Sequence, residues 1–307
     1  MFRQVEIPGK GQGLVATSRL PVGTTIIEES PLITVEDDLN PYSVEEIVTK
    51  FRLLTDEQKN QVLSLHDPGP TSFQGRNMPV TVADGTEEKV VRIFCANSIT
   101  LCGHPEMNVN KSGLYKTISR MNHSCAPNVV WSWLQKDKSR SVKQVRVCSK
   151  IREGEEILAS YLYGNSDKFP SKGERRMRLK RTWNFICNCE VCSLTGDKLI
   201  ENEKARKSIG DLHDAVPIKV GSGLVEPALK DAKEKLKIMK SMKREMIIEL
   251  PSALMECCEL AAHCKIPSSS AAELMKKAKD MSELHGDCFV YNYNKKEKTI
   301  ERIRRGY

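Results

Sequence analysis

The first 94 residues of this 307-residue chain contain no cysteine and a single histidine, His66. Nothing in that stretch can assemble a cysteine-rich zinc module or a disulfide framework. The opening residues, MFRQVEIPGK, lack the apolar segment of a secretory signal, and no run of 18 apolar residues occurs. A membrane span and secretion are therefore not expected. Aromatic residues make up only 6% of the chain. No tail of one charge exists: the formal net charge of +8 divides evenly, about +4 on each side of residue 200. Mass-action binding to nucleic acid is not the default expectation. The rest of the composition, 39% hydrophobic and 29% charged, is that of a soluble globular protein able to bury its own core. The length suggests two domains, or one with a large extension.

Against these absences stand 11 cysteines, an odd number, three of them within six residues at Cys187, Cys189 and Cys192. They point to reduced thiols in the cytoplasm and/or nucleus, some of them on a metal. Residues 5–35 read as short strands broken by the turn Pro21-Val22-Gly23. Residues 43–66 read as helix, with capping-box spacing at Ser43…Glu46 and Thr55…Gln58 and an apolar face of Ile47, Phe51 and Leu54. Residues 67–88 are rich in proline and glycine and are expected to be a loop covering a peptide groove. Strands are expected at Val90–Cys95, Val129–Trp133, Val142–Cys148 and Glu156–Tyr161. From about residue 172 the chain reads as helical. The stretch 172–184 carries six basic residues and one acid, a solvated face by default. A stripe from Leu229 to Leu250 is ended by Pro251, a second helix covers 252–264, and a third runs from Ser270 to near Gly286.

Cys187-Asn188-Cys189-Glu190-Val191-Cys192 is a C-x-C-x-x-C run whose thiolates converge easily on one ion. Zinc prefers four tetrahedral ligands, so a fourth must come from elsewhere; by spacing alone it is any distant Cys or His. A second cluster is Asn122-His123-Ser124-Cys125-Ala126-Pro127-Asn128. Its His123 and Cys125 form a weak nucleophile-and-base pair, because such partners normally meet in space rather than two positions apart. Lys10-Gly11-Gln12-Gly13-Leu14 is a glycine-rich turn where a backbone can approach a ligand. It fails as a dinucleotide motif, since only G-x-G is present and strand follows. Glu155-Glu156-Ile157-Leu158-Ala159-Ser160-Tyr161 reads as a strand ending in a tyrosine.

Taken in order, KGQGL, NHSCAPN, GEEILASY and CNCEVC resemble a SET domain, the fold of protein lysine methyltransferases. The segments ANSITLCGHPEMNVNKSGLYKTISRMNHSC and GERRMRLKRTWNFICNCEVC are most similar to the SET-and-MYND (SMYD) branch. One departure is clear: a MYND finger would follow about residue 36, and its ligands are missing. The resemblance implies an α+β chain: a β-rich SET domain over 1–171 with a helical insertion at about 43–66, a zinc-binding post-SET segment over 172–195, and an all-α, helical-repeat-like region over 196–307.

It also implies roles. The cofactor would be S-adenosyl-L-methionine, held by Lys10, Gly11, Gln12 and Gly13 at its methionine end, with Asn97, Ser119, Asn122, His123 and Phe185 completing the pocket. Lys10 stands where the family often has arginine, so a point charge replaces a bidentate fork. Tyr161 would orient the substrate amine beside the transferring methyl. Cys125 would be the fourth ligand of one structural zinc, with Cys187, Cys189 and Cys192, and would bring Trp183 and Phe185 to the pocket. The remaining cysteines, Cys95, Cys102, Cys148, Cys257, Cys258, Cys264 and Cys288, read as small core residues. The expected partners are a protein substrate presenting a lysine and a further protein on the C-terminal helices, with the chain a monomer and neither nucleic acid nor membrane a direct ligand. The competing readings are a non-enzymatic SET scaffold that binds a partner and a zinc-dependent nucleic-acid binder using 172–181.

Overall fold

The computed structural model describes residues 1–36, 42–69, 85–100, 111–135, 141–162, 169–264 and 268–305. The chain opens with an antiparallel hairpin, β1 (Phe2–Ile7) and β2 (Gly11–Ala16), in the register Ile7↔Gly11 to Phe2↔Ala16. Gly9, at φ +72°, takes the left-handed position of the turn, and Gly11, at φ +73°, leads from it into β2. β3 (Thr25–Glu29) and β4 (Ile33–Glu36) follow. The helical insertion begins with α1 (Val44–Arg52), where Ser43 Oγ accepts from Glu46 N at 3.1 Å. Next is α2 (Asp56–Leu63), where Thr55 and Gln58 form the expected reciprocal box.

Residues 90–95, expected as a strand, lie instead inside helix α3 (Thr86–Asn97). The run is apolar because tertiary packing buries Val90, Val91, Ile93, Phe94 and Cys95 in the core of the insertion. Short apolar runs do not reveal their period. The interrupting Arg92 also fits a helix: its guanidinium meets Glu88, one turn back, and Asp67, both at 2.8 Å. Of the expected loop 67–88, residues 70–84 lie outside the described part.

β5 (Ile99–Thr100) and β6 (Lys111–Leu114) pair antiparallel, and β4 lies on the other edge of β6. A 3₁₀ turn at Ile118–Arg120 leads to β7 (Asn122–His123). β8 (Val129–Gln135) and β9 (Ser141–Val147) form a hairpin with β3 on the far side of β9. The last strand, β10 (Leu158–Ala159), is shorter than the expected 156–161. It runs parallel to β7, while Glu156 bridges back to Val15 of β2. The NHSCAPN segment and residues 154–161 are therefore laced together. Asn128 fastens the crossing, donating from Nδ2 to Glu156 O and accepting from Leu158 N at Oδ1, each at 2.8 Å.

Helix α4 (Lys172–Trp183) starts at a Ser171/Glu174 capping box and ends on Asn184 in the left-handed region. Then come α5 (Gly196–Gly221), α6 (Val225–Ser241), α7 (Leu250–His263), α8 (Ser268–His285) and α9 (Asp287–Arg305). The stripe expected to run to Leu250 is split, since α6 stops at Ser241 and a 3₁₀ turn at Lys243–Met246 intervenes. Pro251 does not end a helix but sits in the first turn of α7, where its missing N–H has no intrahelical partner to lose. Each helix packs on the next, and α8 and α9 also reach β9 and β8. At a separate contact, Ile248 from the turn before α7 is buried with Val130 and Cys148. Among the described residues no helix is long and apolar enough to cross a membrane. Cys95, Cys148, Cys257 and Cys258 are buried as expected, and Cys264 is only half-buried. Cys102 and the side chain of Cys288 lie outside the described part.

Candidate active site

One cavity of about 950 Å³ runs between the β1–β2 turn, the insertion and the segment after α4. Small-molecule sites span about 300–1,000 Å³. At one end lie Lys10, Gly11, Gln12 and Asn122, at another Asn97, Ser119 and His66, and the floor is formed by His123, Tyr161, Trp183 and Phe185. The structure thus brings the lining residues expected from the sequence to one place, with the exception of Gly13.

Gly13 is set back. A Cβ there would fall 2.6 Å from Ile7 Cγ1, 2.9 Å from Asn122 Nδ2 and 3.1 Å from Glu156 Oε1. The glycine is required by close packing rather than by approach to a ligand. Gln12 turns its side chain to β1, donating to Glu6 and accepting from Gln4. Asn97 and Ser119 hold the wall. Asn97 Nδ2 donates to His66 O at 2.8 Å, and Ser119 Oγ donates to Asn97 O at 2.9 Å while accepting from Tyr115 N. Arg120 pins the insertion from the other side through Ser64. Glu29 caps the 3₁₀ turn by accepting from the Thr117 and Ile118 amides.

Tyr161 donates its hydroxyl to Met121 O at 2.6 Å. Its ring centroid lies 5.1 Å from Trp183, 5.3 Å from His123 and 6.3 Å from Phe185, the last edge-on. Burial, with the nearby Glu156 charge, raises its pKa above the usual tyrosine value, so the phenol stays protonated at neutral pH. His123 is buried and joins the floor to the cysteines. Its Nδ1 accepts from Tyr161 N at 3.0 Å, which places the proton on Nε2, 3.4 Å from Cys125 Sγ. Burial lowers its pKa to about 4, and Arg175 and Lys10 add to that. A neutral imidazole with both nitrogens committed is a structural link, and the weak nucleophile–base pairing of Cys125 with His123 is not supported by this arrangement.

The sulfurs of Cys125, Cys187, Cys189 and Cys192 all lie within 4.8 Å of one another, with Cys125 and Cys192 at 3.6 Å. A tetrahedron with metal–sulfur bonds of about 2.3 Å has sulfurs about 3.8 Å apart, so the four can hold one ion. Hydrogen bonds from Cys125 and Cys187 draw the Cys192 thiol down, while Cys125 is pushed up by its bonds to Cys187, Cys189 and Cys192. Thiols this close cannot all ionise without a cation between them. The basic run 172–184 is only partly a solvated face. Arg175 is buried with Nη2 3.9 Å from Cys192 Sγ, and Arg176 donates to the Cys187 and Cys192 carbonyls. Sequence reasoning gave no role to these arginines, to Asn128 or to Glu156. Only the placement of Glu156 inside the GEE segment hinted at the last.

A family model described as the SET domain matches residues 11–162. Histone-lysine N-methyltransferase set5 of Schizosaccharomyces pombe is 31% identical over 212 residues, covering 69% of this chain and 54% of that protein. N-lysine methyltransferase SMYD2 of Sus scrofa is 25% identical over 206 residues, 67% of this chain and 42% of that protein. Human SMYD2 is 29% identical over 150 residues, 49% of this chain and 30% of that protein. The chain thus spans about half or less of the relatives it matches. Among solved structures, Chaetomium thermophilum polycomb repressive complex 2 aligns over 99% of this chain and 32% of that chain at 12% identity. The TM-score is 0.30.

Proposed function

From the premise that this chain carries a SET domain, we propose that it is a protein-lysine methyltransferase using S-adenosyl-L-methionine. The observation that carries the reading is that one cavity gathers Lys10, Asn122 and the Tyr161–Trp183–Phe185 aromatic group. When bound, the cofactor supplies an electrophilic methyl on a sulfonium. Lys10 would meet its carboxylate, the Gly11–Gln12 backbone would border its methionine end, and Asn97, Ser119 and Phe185 would wall the adenosine.

Tyr161 acts as an orienting group. Its proton is committed to Met121 O, so its oxygen faces an incoming amine as an acceptor. Because the phenol stays neutral, it is not the base that deprotonates the substrate. Trp183, Phe185, Ile118 and Met121 strip water from the entering lysine. Desolvation lowers the lysine pKa from about 10.4, so the free amine forms more readily. An amine held by Tyr161 in that water-poor channel would be aligned with the methyl that the cofactor would supply, and alignment would contribute much of the rate.

We read the four thiols as a closed structural zinc site. Four thiolates and Zn²⁺ sum to −2, and the Arg175 guanidinium offsets part of that charge. Residues 1–171 are taken as the catalytic domain, 172–195 as the zinc segment and 196–307 as a helical region that meets protein partners. The free cysteines of the described residues favour a reducing compartment, cytoplasm or nucleus.

The test is transfer of labelled methyl to lysines of candidate proteins. Tyr161→Phe should lower kcat on the order of 10²-fold, with cofactor affinity retained. Equal turnover in both proteins would remove Tyr161 from the chemistry.

A further inference from the structure

Three side chains from distant parts of the chain meet at the hairpin end of the cavity: Lys10 from the β1–β2 turn, Asn122 from β7 and Glu156 from the segment before β10. Glu156 Oε2 accepts from Lys10 Nζ at 2.6 Å, and its Oε1 accepts from Asn122 Nδ2 at 2.8 Å. The second Asn122 amide hydrogen goes to Gln12 O at 3.2 Å. Both hydrogens are therefore taken by protein. Among the described residues nothing donates to Asn122 Oδ1, and Asn122 lines the cavity. The Glu156 side chain is 14% exposed and lies behind Lys10, which is 33% exposed. Gly13 has no room for a Cβ because Asn122 Nδ2 and Glu156 Oε1 lie against it. The trio is packed in place before any ligand arrives.

A carboxylate in that position does something its amide cannot. An ionised carboxylate only accepts hydrogen bonds. Together with Gln12 O, it therefore holds the Asn122 nitrogen inward and leaves its oxygen for the cavity, and it holds an ammonium at the rim. The result is a cation beside an outward-facing acceptor, complementary to an α-amino acid, whose carboxylate and ammonium sit on one carbon.

We propose that Glu156 is a positioning residue for a zwitterion subsite, holding Lys10 for the ligand's α-carboxylate and Asn122 Oδ1 for its α-ammonium. The inference rests on the reading that S-adenosyl-L-methionine occupies the cavity, and assigns the residue that selects its amino-acid end. Glu156→Gln keeps the shape but offers an NH₂. Only Gln12 O then still holds the Asn122 nitrogen inward, and the Lys10 ammonium loses its counter-charge, so both halves of the subsite loosen.

The experiment measures two ligands by calorimetry on the full chain: S-adenosylhomocysteine, which has the amino-acid end, and 5′-methylthioadenosine, which lacks it. In Glu156→Gln the Kd for S-adenosylhomocysteine should rise about 10- to 100-fold, the worth of a hydrogen bond to a charged group. The Kd for 5′-methylthioadenosine should not change. In turnover, the KM for cofactor should rise while kcat at saturating cofactor and the KM for protein substrate hold. Equal weakening of both ligands, or of neither, overturns the proposal. If Glu156→Gln does not fold, Glu156→Asp, which keeps the charge and withdraws it by one methylene, must show the same selective loss. Wild-type protein that binds neither ligand would overturn the cofactor reading itself, and this inference with it.

Discussion

Between residues 1 and 162 the elements that carry chemistry find their partners far along the chain, whereas from residue 196 each helix packs on its sequence neighbour. Lys10 meets Glu156 across 146 residues, and β7 pairs with β10 across the whole β8–β9 hairpin. In the helical part, α5 lies on α6, α6 on α7, α7 on α8 and α8 on α9, around a core from Ile209 to Ile300. Local ion pairs such as Lys207–Asp211 and Lys277–Glu273 dress its surface. The first arrangement fixes side-chain positions through crossings, so damage there should reach chemistry first. The second sums many short-range contacts, so damage there should reach stability first.

The severest challenge to that contrast is Cys189→Ser. Metal content should fall, and methyl transfer should drop on the order of 10²-fold or more, while the helical circular dichroism of the C-terminal part persists. Loss of both signals together would break the distinction. The converse is Leu254→Ala, a 2%-exposed site in α7. It should cost about 2–5 kcal/mol. A denaturant titration should show helix signal lost before S-adenosylhomocysteine binding, and one shared midpoint would mean the halves unfold as a unit.

Gly286, where α8 turns into α9, probes the contact between them. Its φ is +107°, and a Cβ would come 2.7 Å from Ser132 Oγ on β8. Gly286→Ala should cost about 1–3 kcal/mol and speed amide exchange in β8 and β9. The smallest effect concerns His285 beside it. Burial, and then the charge of Arg146, lowers its pKa to about 4. The unfolded value is near 6.5, so the unfolded chain takes up the proton first. The stability is complete above about pH 6.5 and is lost as the pH falls toward 4, amounting to about 1 kcal/mol by pH 5.5. Thermal melts at pH 7.5 and 5.5 should show a loss in wild type that His285→Gln reduces by about this amount, the part due to His123 remaining.

The parts of the fold that rest on local chemistry were readable in the chain. Ser43 and Thr55 cap as their spacing predicts, and Gly286 ends α8. Cys125 joins the C-x-C-x-x-C run through the family resemblance, since spacing alone left the fourth ligand open. What stayed hidden was set by tertiary context. Residues 90–95 became helical because a core closed around all sides of them. Pro251 opened a helix because the preceding turn had already broken the stripe. Glu156 and Asn128 looked like ordinary polar residues, because their partners lie in other segments that only the folded chain brings close.

The lacing of the cysteine site has a consequence for the order in which the protein can be made. Cys125 and Cys192 are 67 residues apart. At about 5–20 residues per second of synthesis, Cys125 waits roughly 3–13 seconds for its last partner to be made. For about the first half of that interval the nascent chain carries β7 without β10, and for all of it Cys125 stands without its last partner. The sequential helices, rich in short-range contacts, are the kind of structure that closes quickly once synthesised. The cysteine cluster is therefore complete only after β10 and α4 have been made, so its closure comes last in the segment proposed to carry the chemistry.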